Sequence, residues 1–134
     1  MTPFQLKIVT PDGLKYDGMA EGLVVRTTNG DIGILAGHVN LVVPLGMGQA
    51  MVIIDGEKKY AACIGGMLSV MEGKATLVPT TFEWAEEIDQ KRSEASESRA
   101  RAVLADKAAS HTDIKLAEAR LKRALIRQGV AEMK

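Results

Sequence analysis

Residues 75–92 read ATLVPTTFEWAEEIDQKR, and the chain changes character inside this stretch. Ala75 to Val78 is a short apolar run containing β-branched residues, and Pro79 is the last proline. All four prolines (Pro3, Pro11, Pro44, Pro79) and 12 of the 13 glycines precede residue 80. Gly and Pro punctuate turns, whereas the Ala, Glu, Arg and Lys that dominate afterwards are good helix formers. Thr80-x-x-Glu83 has the form of a capping box, in which hydroxyl and carboxylate satisfy the first unpaired groups of a helix. It predicts a helix starting at about Trp84. The stretch therefore predicts an α+β chain, with a β domain over 1–83 and a helical domain over 84–134.

Working back from the junction, the first part reads as short strands. Phe4, Leu6 and Ile8 alternate with Gln5, Lys7 and Val9, the period-two pattern of a strand with one buried face. Leu23 to Val25, Leu41 to Val43, Ala50 to Ile54, Lys59 to Ile64, Met67 to Met71 and Ala75 to Val78 are further β-type runs. Between them stand turn signals: Pro11-Asp12-Gly13, Asn29-Gly30, Asp55-Gly56, Gly65-Gly66 and Glu72-Gly73. Closely spaced strands with such turns predict a β-sandwich or small barrel.

Working forward, the tail reads as an antiparallel two-helix hairpin. Ala85, Ile88, Arg92, Ala95, Arg99 and Ala102 follow 3/4 spacing and predict the buried stripe of the first helix. Ser110-x-x-Asp113 is a second capping box, and Ile114, Ala117, Leu121, Ala124 and Gln128 continue the second stripe. Asp106 to Ser110 suits a short connection, and Gly129 suits a helix C-terminus. A seam so rich in alanine buries little area at about 25 cal/mol per Å². The hairpin is expected to be marginal and to adopt more than one arrangement.

Composition narrows the function. The 134 residues carry 17 Lys+Arg against 17 Asp+Glu, a balance that argues against a nucleic-acid binder. No apolar run approaches the roughly 20 residues of a membrane span, and the N-terminus carries no long apolar leader. The single cysteine, Cys63, excludes an internal disulfide framework. Charge is nevertheless polarised. Residues 83–97 hold six acids and two bases, whereas 99–127 hold eight bases and three acids. Two solvated faces pairing across the hairpin account for this; so does a basic surface for an acidic or phosphate-bearing partner.

No catalytic constellation stands out. Cys63 and His38 are a formal nucleophile–base pair, but Cys63 lies in an apolar run that suits a buried thiol. A folded-back hairpin brings Arg92 near Arg123 and Arg127, whose planar donor forks suit phosphate oxygens. Such a cluster needs neutralising, either by Glu83, Glu86 and Glu87 or by a polyphosphate, with Asp89 then accepting from a sugar or base.

Taken together, IVTPDG (8–13), GDIGILAGH (30–38), the Gly65-Gly66 pair, IDQKRS (88–93) and the tail LKRALIR…VAEMK resemble the epsilon subunit of bacterial F-type ATP synthase over nearly the whole chain. The resemblance implies a flattened β-sandwich, often described as ten-stranded, that binds the gamma subunit and sits on the c-subunit ring. It implies a regulatory hairpin that extends toward the alpha/beta catalytic head and inhibits ATP hydrolysis. The chain itself is then no enzyme; it lies at the cytoplasmic face of the bacterial membrane as a peripheral part of the complex, without inserting. The ring-contact loop would comprise Asp31, Gly33, Ile34, Leu35, Gly37 and His38. Ala36 stands where the family usually has proline, and His38 reads equally as a locally bonded turn residue. No cofactor is required, but ATP is implied as a regulatory ligand through Glu83, Asp89, Arg92, Arg123 and Arg127. Ser93 departs from the alanine that usually ends that motif. In the extended state Arg120, Lys122 and Arg123 would meet an acidic loop of the beta subunit. The rival readings are a free-standing sandwich-and-hairpin adaptor and, further off, a thiol enzyme using Cys63.

Overall fold

In β1 (Phe4–Thr10) the alternating residues Phe4, Leu6, Ile8 and Thr10 are buried and Gln5 and Lys7 are exposed. This is the alternation the sequence carries, and it places one strand face on a core. The computed structural model describes residues 2–133. The chain divides into two compact units, Met1–Trp84 and Ala85–Lys134.

The first unit is built from ten strands. After β1 come β2 (Gly13–Ala20), β3 (Gly22–Thr27), β4 (Gly30–Ile34), β5 (Leu41–Pro44), β6 (Met47–Ile54), β7 (Glu57–Ile64), β8 (Met67–Met71), β9 (Lys74–Val78) and β10 (Thr81–Trp84). One sheet has the order β2-β1-β9-β8-β5 and the other β10-β7-β6-β3-β4. The expected α+β chain with an N-terminal β-sandwich is what forms. Ile8, Val25, Val52, Leu68, Leu77 and Phe82, drawn from both sheets, share one buried core. Pairing is antiparallel throughout the named ladders except β1 with β9, which run parallel with Leu6 beside Ala75. The turn Gly65-Gly66 admits only glycine at its second position: a Cβ on Gly66, at φ 94°, would stand 2.0 Å from the Val78 carbonyl oxygen.

The Thr80–Glu83 pattern does not start a helix. Thr81 to Trp84 pair with β7, Thr81 beside Ile64 and Trp84 beside Ala61. Phe82 enters the core and packs edge-to-face on Trp84 at 4.9 Å between ring centroids. An aromatic, alternating Thr-Phe-Glu-Trp segment gains more from the sheet than from a helical turn.

The second unit begins with a single 3₁₀ turn at Ala85–Glu87. Helix α1 spans Gln90–Ala105 and α2 spans His111–Ala131. Asp89 is the N-cap of α1, its carboxylate accepting from the Arg92 backbone N–H. The second capping box forms as the sequence indicates: Ser110 Oγ accepts from Asp113 N–H, and the Asp113 carboxylate accepts from Ser110 N–H. Gly129 lies inside α2, which continues to Ala131.

The stripe of α1 differs from expectation by one position. Ser93 and Ala100 are buried, while Arg92, Ala95, Arg99 and Ala102 are exposed. The expected stripe was phased from Ala85 and Ile88, but those residues precede the helix and do not set its rotation. On α2 the expected stripe holds, with Ala117 and Ala124 buried and Ile114, Leu121 and Gln128 half-buried. The seam's most buried positions are small residues, and polar bonds supplement them. Ser93 Oγ donates to the Ala124 carbonyl at 2.9 Å. Gln128 Nε2 donates to Glu97 Oε1 at 2.9 Å, and Arg101 Nε donates to Glu97 Oε2 at 2.6 Å. Glu97 and Gln128 meet because helical side chains lean toward their own N-terminus. Each lies four residues past the Ser93–Ala124 contact on its own helix and leans back toward it.

Candidate functional site

The sandwich carries one candidate surface. Alternation in β4 turns Asp31 and Gly33 outward and buries Ile34, so Ile34 anchors the loop that follows instead of reaching a partner. Asp31 lies opposite Arg26 in the β3–β4 register, and Arg26 Nε binds its Oδ1 at 2.8 Å. Arg26 has room because a Cβ at Gly48 would stand 2.7 Å from the Arg26 Cβ. Beyond Ile34, Leu35 is 56% exposed and Val39 75% exposed. Gly37 turns the chain at φ 78°, and His38 N–H closes the turn on the Leu35 carbonyl at 3.2 Å. His38 Nδ1 donates to the Val39 carbonyl at 2.8 Å, so its ring is bonded locally. Asp31, Gly33, Leu35, Gly37 and His38 thus lie along one strand and its loop. Arg26 and Val39 join them; only the cross-strand register reveals the first, and only its exposure the second.

The same unit presents an apolar outer face. Pro44, Met67 and Val78 lie side by side across β5, β8 and β9, with Val42 and Met71 along the same side, all exposed. The signal was in the sequence: β5 and β8 are apolar at both parities, a pattern of strands covered on two faces.

The hairpin carries the second candidate surface. A groove of about 560 Å³ is lined by Ser96, Arg99, Ala100, Ala102 and Val103 of α1 and by Ala117, Arg120, Arg123 and Arg127 of α2. Its volume is in the range of small-molecule sites, roughly 300–1,000 Å³. Four arginines line it, and none of the lining residues is acidic. Arginine forks in such a lining suit phosphate or carboxylate oxygens. Of the residues named from sequence, Arg123, Arg127 and Arg120 line the groove. Arg92 and Asp89 do not: both are exposed at the start of α1, joined by the N-cap bond at 3.1 Å. Lys122 is exposed outside it, and Glu83 is on β10 in the other unit. Arg99 was read as a stripe residue; helix phase turns it to the groove.

Cys63 is buried, and burial pushes its thiol up to about 12, so it is not a thiolate near neutrality. Among the described residues no cluster of His, Cys, Asp or Glu has the makings of a metal site.

A family model described as the ATP synthase delta/epsilon chain β-sandwich domain matches residues 3–85. The chain belongs to the ATP synthase epsilon family. The "ATP synthase epsilon chain" of Bacillus velezensis is 41% identical over 131 residues, covering 98% of both chains. That of Shouchella clausii is 38% identical over 134 residues, 100% of this chain and 98% of its relative. Epsilon membership thus extends over the hairpin as well as the sandwich. Among solved structures, a chain of the Euglena gracilis mitochondrial ATP synthase (OSCP/F1/c-ring) superposes with TM-score 0.82 at 22% identity, covering 100% of this chain and 83% of that one. A chain of the Tetrahymena thermophila mitochondrial ATP synthase central stalk/c-ring superposes at TM-score 0.59 and 13% identity, covering 95% of each. At these identities the two structures establish the fold.

Proposed function

We propose that this chain is a non-catalytic rotor subunit that links the gamma subunit to the c-subunit ring, couples proton flow to ATP synthesis, and restrains ATP hydrolysis through its hairpin. Epsilon membership supports the assembly, as do structural neighbours described as central stalk and c-ring. In this reading gamma covers the apolar face around Val42, Met67 and Val78, and the Asp31–His38 segment meets the ring. No helix among the described residues is long and apolar enough to cross a membrane. In the same reading the subunit is peripheral, held by its partners at the cytoplasmic face.

The observation that carries the regulatory part is the groove with four arginines on a hairpin closed by small residues. A polyphosphate there would bridge Arg99 of α1 to Arg120 and Arg123 of α2 and so hold the two helices together. ATP then favours the folded hairpin, and at low ATP the basic face around Arg120, Lys122 and Arg123 is available to the beta subunit.

Calorimetric titration of the full chain with ATP tests this. Saturable heat is expected, with Arg123→Ala or Arg127→Ala weakening binding at least tenfold. Absence of heat at millimolar ATP removes the nucleotide-sensing role. Co-purification with gamma and the catalytic head tests the assembly separately, and failure to co-purify favours a free-standing adaptor.

A further inference from the structure

We infer that Asn40 and Glu72 form a clip that positions the Leu35–Val39 loop for its partner; the inference deepens the ring-contact reading above and rests on it. Two independent observations meet at this clip. The first is backbone strain. Among described non-glycine residues only Asp55 (φ 52°) and Glu72 (φ 51°) occupy the left-handed region. Asp suits it, because a short polar side chain bonds locally; Glu does not. The Glu72-Gly73 turn between β8 and β9 would be easier to form with Asn or Asp at its first position.

The second is what that strained residue touches. Glu72 N–H donates to Asn40 Oδ1 at 2.9 Å, and Asn40 Nδ2 donates back to Glu72 Oε1 at 3.4 Å. The pair joins positions 32 residues apart and continues the β5–β8 pairing past its last rung, Leu41 beside Val70. The longer glutamate arm is what reaches the Asn40 amide. A strained turn residue that completes a long-range reciprocal bond is a sign of a positioning role.

The loop has reason to be held. The two hydrogen bonds made by His38 close within three residues, so they shape the turn without fixing where it sits on the sandwich. Ala36 leaves the backbone freer than proline would. Val39, at the exposed tip, immediately precedes Asn40, so whatever fixes Asn40 fixes the direction in which Val39 points.

The test uses the full chain bound to gamma, with the purified c-subunit ring in detergent as the probe and amide hydrogen exchange over residues 35–40 as the structural readout. Asn40→Ala is expected to speed exchange there at least fivefold and to weaken ring binding severalfold. Glu72→Asn separates positioning from folding. It suits the left-handed turn better and keeps the backbone N–H bond to Asn40 while losing the carboxylate's reach, so the melting temperature should hold or rise while the loop loosens and ring binding falls by less than in Asn40→Ala. Unchanged exchange in Asn40→Ala, or a loosened loop with undiminished ring binding, overturns the clip. Val39→Asp isolates the underlying reading: if it binds the ring like the parent chain, the loop is no ring contact and the clip falls with it.

Discussion

Ser93 places a hydroxyl between the two helices, shielded from solvent. It is buried, and its hydroxyl donates to the carbonyl of Ala124 at 2.9 Å. A buried hydrogen bond of this kind contributes about 0.5–1.5 kcal/mol net. Ser93→Ala keeps the close packing and removes the bond, so it should loosen the hairpin by about 1 kcal/mol. Faster amide exchange confined to α1 and α2 would show this, and unchanged exchange would mean the bond is energetically silent. The sequence marks Ser93 only as a departure from the motif it resembles; that it bridges to position 124 is a matter of helix crossing. Asn40 and Glu72 were still less visible. Glu72-Gly73 reads correctly as a turn, but nothing in a linear sequence pairs it with Asn40.

At the scale of elements, strands were more legible than the rotation of a helix. Alternation locates β1 and the glycine turns separate β6, β7, β8 and β9, because each of these signals is local. β10 was misread because Thr80 and Glu83 satisfy a helix-start pattern while Phe82 and Trp84 satisfy a strand pattern, and the core decides between them. That error propagated to α1, turning its apparent stripe by one residue and hiding Arg99 from the groove. The correctly phased seam has a consequence for pH. Hydrogen bonds from Gln128 and then Arg101 hold the Glu97 carboxyl below the ordinary glutamate range. A carboxyl depressed in the folded state stabilises that state above its unfolded value, about 4.3, and this contribution is lost as pH falls through the folded value. Helix content of the full chain should therefore begin to drop below about pH 4. Glu97→Gln should flatten that part of the profile; an unaltered profile would show that Glu97 does not close the hairpin.

At the scale of the molecule the two units differ in what holds them. The sandwich owns a core of leucine, isoleucine, valine and phenylalanine side chains drawn from both sheets, all of it within residues 4–84. The long-range parallel pairing of β1 with β9 ties its ends together, a connection that strand patterns do not foretell. In the hairpin the buried positions of the two helices are Ser93, Ala100, Ala117, Ala124, Val130 and Ala131; all but Val130 are small side chains that each contribute little burial. Stability should be correspondingly uneven, with helix amides exchanging well before strand amides. A chain ended after Trp84 should fold, with a cooperative melt, because the core stays intact. Restored to a catalytic head with gamma, it should still assemble, since the apolar face and the Asp31–His38 segment are retained. ATP hydrolysis by that assembly should run severalfold faster than with the full chain if, as proposed, the basic helix restrains it. Raising ionic strength should move the full-chain assembly toward the truncated one, since a restraint made by Arg120, Lys122 and Arg123 on an acidic loop is screened within about 8–10 Å. Equal hydrolysis by the two assemblies at low salt would remove the inhibitory role and leave the sandwich as the sole working part.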